Sequence, residues 1–208
     1  MIQINNKVKN VLEWVYCIII ALVLALLIRY FIGTPTIVQQ VSMFPTLKQN
    51  QRLILNKTVK TFNGSYERGD IITFEAPSVL SAKSEEAQYT YKPENWFKSF
   101  TYYVLEIDKT SYIKRVIALP GEHVTLKDNS VYINGEKLEE EYLQENVITE
   151  AKNTNLVDFT VPAGYIFAMG DNRTQSMDCR EFGCIPIDKI ESKVLIRFWP
   201  LNLFGKVE

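Results

Sequence analysis

Ser42 and Lys114 carry the chemistry this chain can offer. Ser42 stands in VSMFPTL, after the apolar run TIVQQV (36–41), which reads as a strand, and before a Pro-Thr turn. A side chain on such an elbow is presented on a rigid support, as a nucleophile requires. Taken alone, serine before a turn is usually a hydrogen-bonding turn residue. Its hydroxyl becomes nucleophilic only beside a base. His123, the single histidine, follows Pro-Gly-Glu in a turn leading into a strand, an ordinary exposed position. The other base that works with serine is a lysine held neutral by burial. Lys114 lies in SYIKRVIAL (111–119), flanked by Ile113 and Val116. Lysine is disfavoured in an apolar strand unless it faces solvent. Strand alternation sets Lys114 and Arg115 on opposite faces, so one of them is expected to point into the body. The bland alternative, with both at the surface, is the default for the strand taken by itself.

A third segment, GDNRTQSMDCREFG (170–183), is dense in polar side chains just after the apolar YIFAM. It fits a surface loop as well as a charge-paired scaffold beneath a site, and spacing does not choose between them. Cys17 sits in an apolar run, where packing or lipid contact is its expected role. Cys179 and Cys184 read as two separate thiols or as a disulfide outside the cytoplasm. One histidine excludes sites built on imidazole pairs, and the two nearby cysteines lack further ligands, so neither metal nor cofactor is expected. A net charge of -1 argues against a nucleic-acid binder, which needs a basic surface. The chain has no glycine-rich phosphate loop and no internal repeat.

The elements that must position these residues fall into two parts. Residues 14–28, WVYCIIIALVLALLI, are free of charge, and Tyr30, Phe31 and Ile32 extend the apolar character past Arg29. With Arg29 reaching the interface on its long stem, the segment is long enough for a bilayer core of about 30 Å. A cleaved leader is the rival, but RYFIGTPTIV holds no A-x-A spacing after the apolar core. The expectation is a cytoplasmic stretch at 1–10, a transmembrane anchor at 11–32 and an extracytoplasmic body at 33–208. Lys7 and Lys9 favour this orientation and Arg29 opposes it.

The body reads as mainly β. Strands are expected at 36–41, 52–57, 70–75, 111–119, 123–127, 130–134, 165–170 and 193–199, with turns at 127–129 and at Asn134-Gly135. No long, capped helical period follows residue 33. Residues 76–110 form an insertion of unclear role. Its run SVLSAKSEEAQ reads as loop, and YKPENWFKSFTYY is rich in aromatics that fill a core or dip into a membrane interface.

Four stretches, SMFPTL (42–47), RGDIITF (68–74), YIKRVIALPGE (112–122) and GDNRTQSMDCREFG (170–183), resemble in order the successive sequence boxes of bacterial type I signal peptidases. An N-terminal anchor precedes them and RFWP (197–200) follows. The resemblance implies a signal-peptidase/LexA-like β fold and cleavage of secretory preproteins after an A-x-A-like site. It implies Ser42 as nucleophile, Lys114 as general base and Ser176 as a hydroxyl orienting the amine. Asp178 with Arg180 would form a supporting ion pair, and Asp171 would pair with Arg115. Val38, Met43, Leu47, Tyr112 and Ile113 would line shallow substrate pockets. The implied partners are preproteins, the lipid bilayer of the plasma membrane and, by proximity, the secretion translocase. The chain departs from the family at Gln40, where Ser or Gly is usual, at Val41 and at Cys179. The oxyanion hole would then rest on the Ser42 backbone N–H, aided by the Gln40 amide. A LexA-type self-cleaving protease would want a DNA-binding helix-turn-helix at the N-terminus. An inactive membrane-anchored binding module would be expected to lack Ser42 or Lys114.

Overall fold

The computed structural model describes residues 6–62, 64–79 and 85–207. Residues 1–5 of the N-terminal stretch and 80–84 of the polar insertion lie outside them. Helix α1 (Asn6–Phe31) carries the apolar run. Within its 23 residues from Lys9 to Phe31, the most apolar 18-residue window has a mean hydropathy of 2.8 and is not buried against the body. At 1.5 Å per residue the 23 residues span roughly 35 Å, enough to cross a bilayer core. Arg29 does not run free to an interface. Its Nη2 donates to the Leu105 carbonyl and to Glu106, both at 3.1 Å, tying the end of α1 to the insertion.

The body is built from β1 (Gly33–Ile37), β2 (Arg52–Asn56), a short α2 (Thr58–Thr61), β3 (Ile71–Glu75), α3 (Trp96–Tyr103) and β4 (Ser111–Ala118). Next come β5 (His123–Lys127), β6 (Ser130–Ile133), β7 (Glu136–Lys137), β8 (Asp158–Thr160) and β9 (Tyr165–Met169). α4 (Cys179–Phe182), β10 (Ile185–Pro186) and β11 (Ile190–Trp199) complete it. The strands form a seven-stranded sheet, ordered β1-β2-β11-β3-β4-β9-β10, and a four-stranded sheet, β7-β6-β5-β8. Every pairing between strands is antiparallel. The larger apolar core draws residues from both sheets, with Phe74, Ile117, Leu126, Val131, Phe159 and Phe167 among its members. A smaller one gathers Val38, Met43, Leu47, Leu53, Leu55 and Ile71.

Most of the expected strands appear within a residue or two, and both turns have the required backbone. Asp128 and Asn129 take φ of 50° and 58°, Asn134 and Gly135 take 52° and 87°, as tight hairpin turns demand. Two expectations need correction. The strand expected at 36–41 is found at Gly33–Ile37, so Ser42 opens a turn rather than ending a strand. Pro35 falls within β1, which is an edge strand, where a missing N–H is tolerated. Gly33 admits the close approach of β2, because a Cβ there would sit 2.3 Å from the Leu55 carbonyl oxygen. The insertion also holds a helix. α3 is capped by Asn95, whose side chain accepts from the Lys98 N–H at 2.9 Å. Its eight residues are too few to show a convincing period among so many aromatics.

Candidate active site

Lys114 lies in β4 opposite Ile72 of β3, well inside the larger sheet. Its Nζ is 2.8 Å from Ser42 Oγ and donates to the Ile113 carbonyl at 3.0 Å. Lys114 is only 3% exposed and Ser42 6%. Burial pushes the amine down to about 8, against the raising influence of Asp178, Cys179 and Asp171. A neutral amine is thus within reach near physiological pH, which an exposed lysine is not. The Tyr112 ring, 5.4 Å from Nζ, supplies part of the apolar wall.

Arg115 is buried as well, at 3%, so the expectation of one buried cation in this strand becomes two. The sheet is covered on both faces here, and each side chain finds its own polar partner. Arg115 grips Asp171 through Nε and Nη2 at 2.9 and 2.8 Å, and its guanidinium lies 3.9 Å over the Tyr142 ring. Thr46 donates to Asp171 at 2.6 Å. The Asn172 N–H donates to the Ser42 carbonyl at 3.0 Å and its amide to the Val41 carbonyl at 3.2 Å. The turn bearing Ser42 is therefore laced to the 171–172 segment from both ends, and that segment is laced to β4. Thr46 and Asn172 escaped the sequence reading, since nothing local marks a threonine or asparagine as a clamp.

Behind Lys114 the 170–183 segment is a charge-paired scaffold rather than a surface loop. Asp178 caps α4 and binds Arg180 through two 2.9 Å contacts. Complete burial favours the neutral acid, but Arg180, Ser176 and the Gly170 N–H outweigh it and hold the carboxyl below its usual range. Arg180 also donates to the Arg173 carbonyl at 2.6 Å, and the buried Arg173 pairs with Glu140. Ser176 is 1% exposed and stands over Gly170. Its hydroxyl makes no hydrogen bond of ordinary geometry, and the donors and acceptors around Lys114 Nζ are Ser42 and Ile113. Its side chain leans instead toward the Asp178 carboxylate. Cys179 and Cys184 are separate buried thiols, and the Ala168 N–H points to Cys179 Sγ at 3.2 Å. His123 is exposed and engaged with Asp158 at 2.8 Å, in the smaller sheet.

A groove of about 470 Å³ opens beside Ser42 and Lys114. Val38, Gln40, Tyr112 and Ile113 are among its lining residues, as are Arg29, Glu106 and Lys109. Of the five residues expected to line pockets, Met43 and Leu47 do not reach the groove. Both are 0% exposed and packed in the smaller core, because the turn at 42–46 rolls them under the surface that Ser42 faces.

Gly170 is a third residue the sequence did not single out by function. A Cβ there would fall 2.1 Å from Ser176 Oγ and 2.4 Å from the Ser42 carbonyl oxygen. The serine hydroxyl can rotate away, but the Ser176 Cβ at 2.5 Å and the Ser42 backbone carbonyl cannot. Gly170→Ala is expected to displace the Ser42 turn and reduce turnover on the order of 10²-fold, the scale of an ångström misplacement. Single-turnover rates beside a thermal melt check this, and a wild-type rate would show that the turn yields freely.

The family model described as signal peptidase, peptidase S26, matches residues 11–199. A signal peptidase I of Bacillus licheniformis is 37% identical over 210 residues, covering 98% of this chain and 97% of that protein. Signal peptidase I T of Bacillus subtilis is 38% identical over 205 residues, with coverage of 95% and 90%. A crystal structure of a signal peptidase I from Enterococcus faecalis covers 62% of this chain and 96% of its own, at 29% identity and a TM-score of 0.41.

Proposed function

Because this chain belongs to the signal peptidase family, peptidase S26, and is a signal peptidase I hydrolase, we propose that Ser42 and Lys114 form its catalytic dyad. The observation that carries the reading is the buried 2.8 Å contact between Lys114 Nζ and Ser42 Oγ, with the amine brought down to about 8. The neutral amine takes the Ser42 proton as Oγ attacks the carbonyl carbon of the scissile peptide bond. The Ser42 backbone N–H, with the Gln40 amide beside the groove, stabilises the oxyanion. On collapse, the C–N bond breaks and the lysine ammonium gives its proton to the leaving amine. A water deprotonated by Lys114 then hydrolyses the Ser42 ester. Asp178–Arg180 and Asp171–Arg115 hold the base strand and the serine turn in register, and Ser176 steadies the scaffold beneath them.

The substrates are secretory preproteins cut after an A-x-A-like site, bound in the groove with small side chains toward Val38, Tyr112 and Ile113. Purified protein in detergent, incubated with a model preprotein, is expected to give a mature chain whose mass places the cut after that motif. A cut elsewhere, or none, defeats the reading. Helix α1 is the membrane anchor, with the N-terminus cytoplasmic and the body outside, near the secretion translocase. Protease added to intact spheroplasts is therefore expected to digest the body, while protection until lysis would overturn the topology.

Rate against pH tests the base. A depressed lysine makes the folded state prefer the neutral form. Stability therefore rises with pH between about 8 and 10.5, and below that window the buried amine is destabilising by about 3 kcal/mol. Turnover is expected to climb through an acidic limb near 8. A limb near the ordinary histidine value of about 6.5 that disappears in His123→Ala would assign the base to imidazole instead.

A further inference from the structure

Helix α3 is short, but its surface is unusual. Trp96, Phe100 and Tyr103 follow one another at spacings of four and three, and with Phe97 they occupy roughly a third of the helix circumference. Trp96 is 78% exposed and Phe97 60%, with Phe100 and Tyr103 partly exposed beside them. Tyr102, on another face, is buried and reaches Glu75 at 3.3 Å, so it is this side that seats α3 on the body. An aromatic patch left in water on a helix already seated by another side marks a surface meant to be covered.

The location of that patch identifies what covers it. The chain leaving α3 is fastened to the last turn of α1 through Arg29, and Lys57 Nζ holds the same Glu106 at 2.6 Å. Tyr103, on the aromatic stripe, shares a cavity with Tyr30 and Phe31, the aromatics that end α1. The stripe therefore continues the aromatic end of the anchor sideways. Tryptophan and tyrosine rings with an apolar body and a polar edge are suited to the headgroup level of a bilayer.

We infer that α3 is a second membrane contact, lying in the outer interface of the bilayer beside the anchor with Trp96, Phe97 and Phe100 among the headgroups. This rests on the reading of α1 as the anchor. It gives the insertion at 76–110 a role: fixing the groove, whose lining includes Arg29 and Glu106, at one height and orientation above the membrane.

The test uses the full chain in phospholipid vesicles whose acyl chains carry bromine just below the headgroups. Replacing Trp14 and Trp199 by Phe leaves Trp96 as sole tryptophan; replacing Trp96 and Trp199 leaves Trp14 inside the anchor. All three side chains are exposed in the isolated chain, so these conservative changes disturb no core. Emission from Trp96 is expected to be quenched by the brominated lipid and shielded from aqueous acrylamide, with Trp14 also quenched. Trp14 quenched while Trp96 answers only to acrylamide overturns the proposal and leaves the anchor standing. Trp96 shielded from both quenchers overturns it in favour of a protein cover, such as a second copy. Trp14 without lipid quenching removes the anchor, and this inference falls with it.

Discussion

Ser42→Ala and Lys114→Met are each expected to reduce preprotein processing on the order of 10⁴-fold or more, and the double variant to lose almost nothing further. The two side chains meet at 2.8 Å in a site that is nearly closed to water. In the proposed mechanism they perform one proton transfer between them, so removing either removes the whole step. Lys114→Met keeps the length and apolar stem of the side chain, and it also lifts the burden of a buried amine. That variant should therefore be at least as stable as the parent, which separates lost chemistry from lost fold. Single-turnover cleavage of a model preprotein with a parallel thermal melt provides both readings. His123→Ala should remain within a few-fold of the parent, since that ring lies on the smaller sheet against Asp158. Losses that add in the double variant, or a collapse of activity in His123→Ala, would dismantle the dyad.

The largest stability effect is expected from Arg180→Met. Asp178 and Arg180 are 0% and 2% exposed, and the carboxylate is held ionised by the guanidinium, Ser176 and the Gly170 N–H. Removing the cation leaves a buried anion with too few partners, which costs about 3–5 kcal/mol. The double change Asp178→Leu, Arg180→Met should recover part of this, because an apolar pair of similar volume needs no solvation. The depressed Asp178 carboxyl adds a pH signature. Its stabilisation is present above the unfolded carboxylate value of about 3.9 and is lost as pH falls through its lower folded value. Acid unfolding of the parent should therefore be later than that of Arg180→Met. Equal melting temperatures for parent and single variant would show that the pair is solvated in practice.

Much of this was readable from the residues themselves. The apolar run of α1, the hairpins at Asp128-Asn129 and Asn134-Gly135, and the strands holding Ile72, Lys114 and Phe167 follow from local pattern. Local pattern is what hydrophobic periodicity and turn chemistry report. The suspicion that lysine rather than histidine serves as base also came from the chain alone, because its single imidazole sits in an ordinary turn. What the chain could not tell was which of two adjacent cations goes inside. Alternation along β4 separates Lys114 from Arg115, but burial of both depends on residues 42, 46, 142 and 171 arriving from far away in sequence. The same holds for Met43 and Leu47, which one turn rolls beneath the groove, and for Gly170, whose missing Cβ makes room for the Ser42 carbonyl and Ser176. A residue's depth and partners are set by what packs against it, and those neighbours come from strands that are adjacent only in the folded sheet.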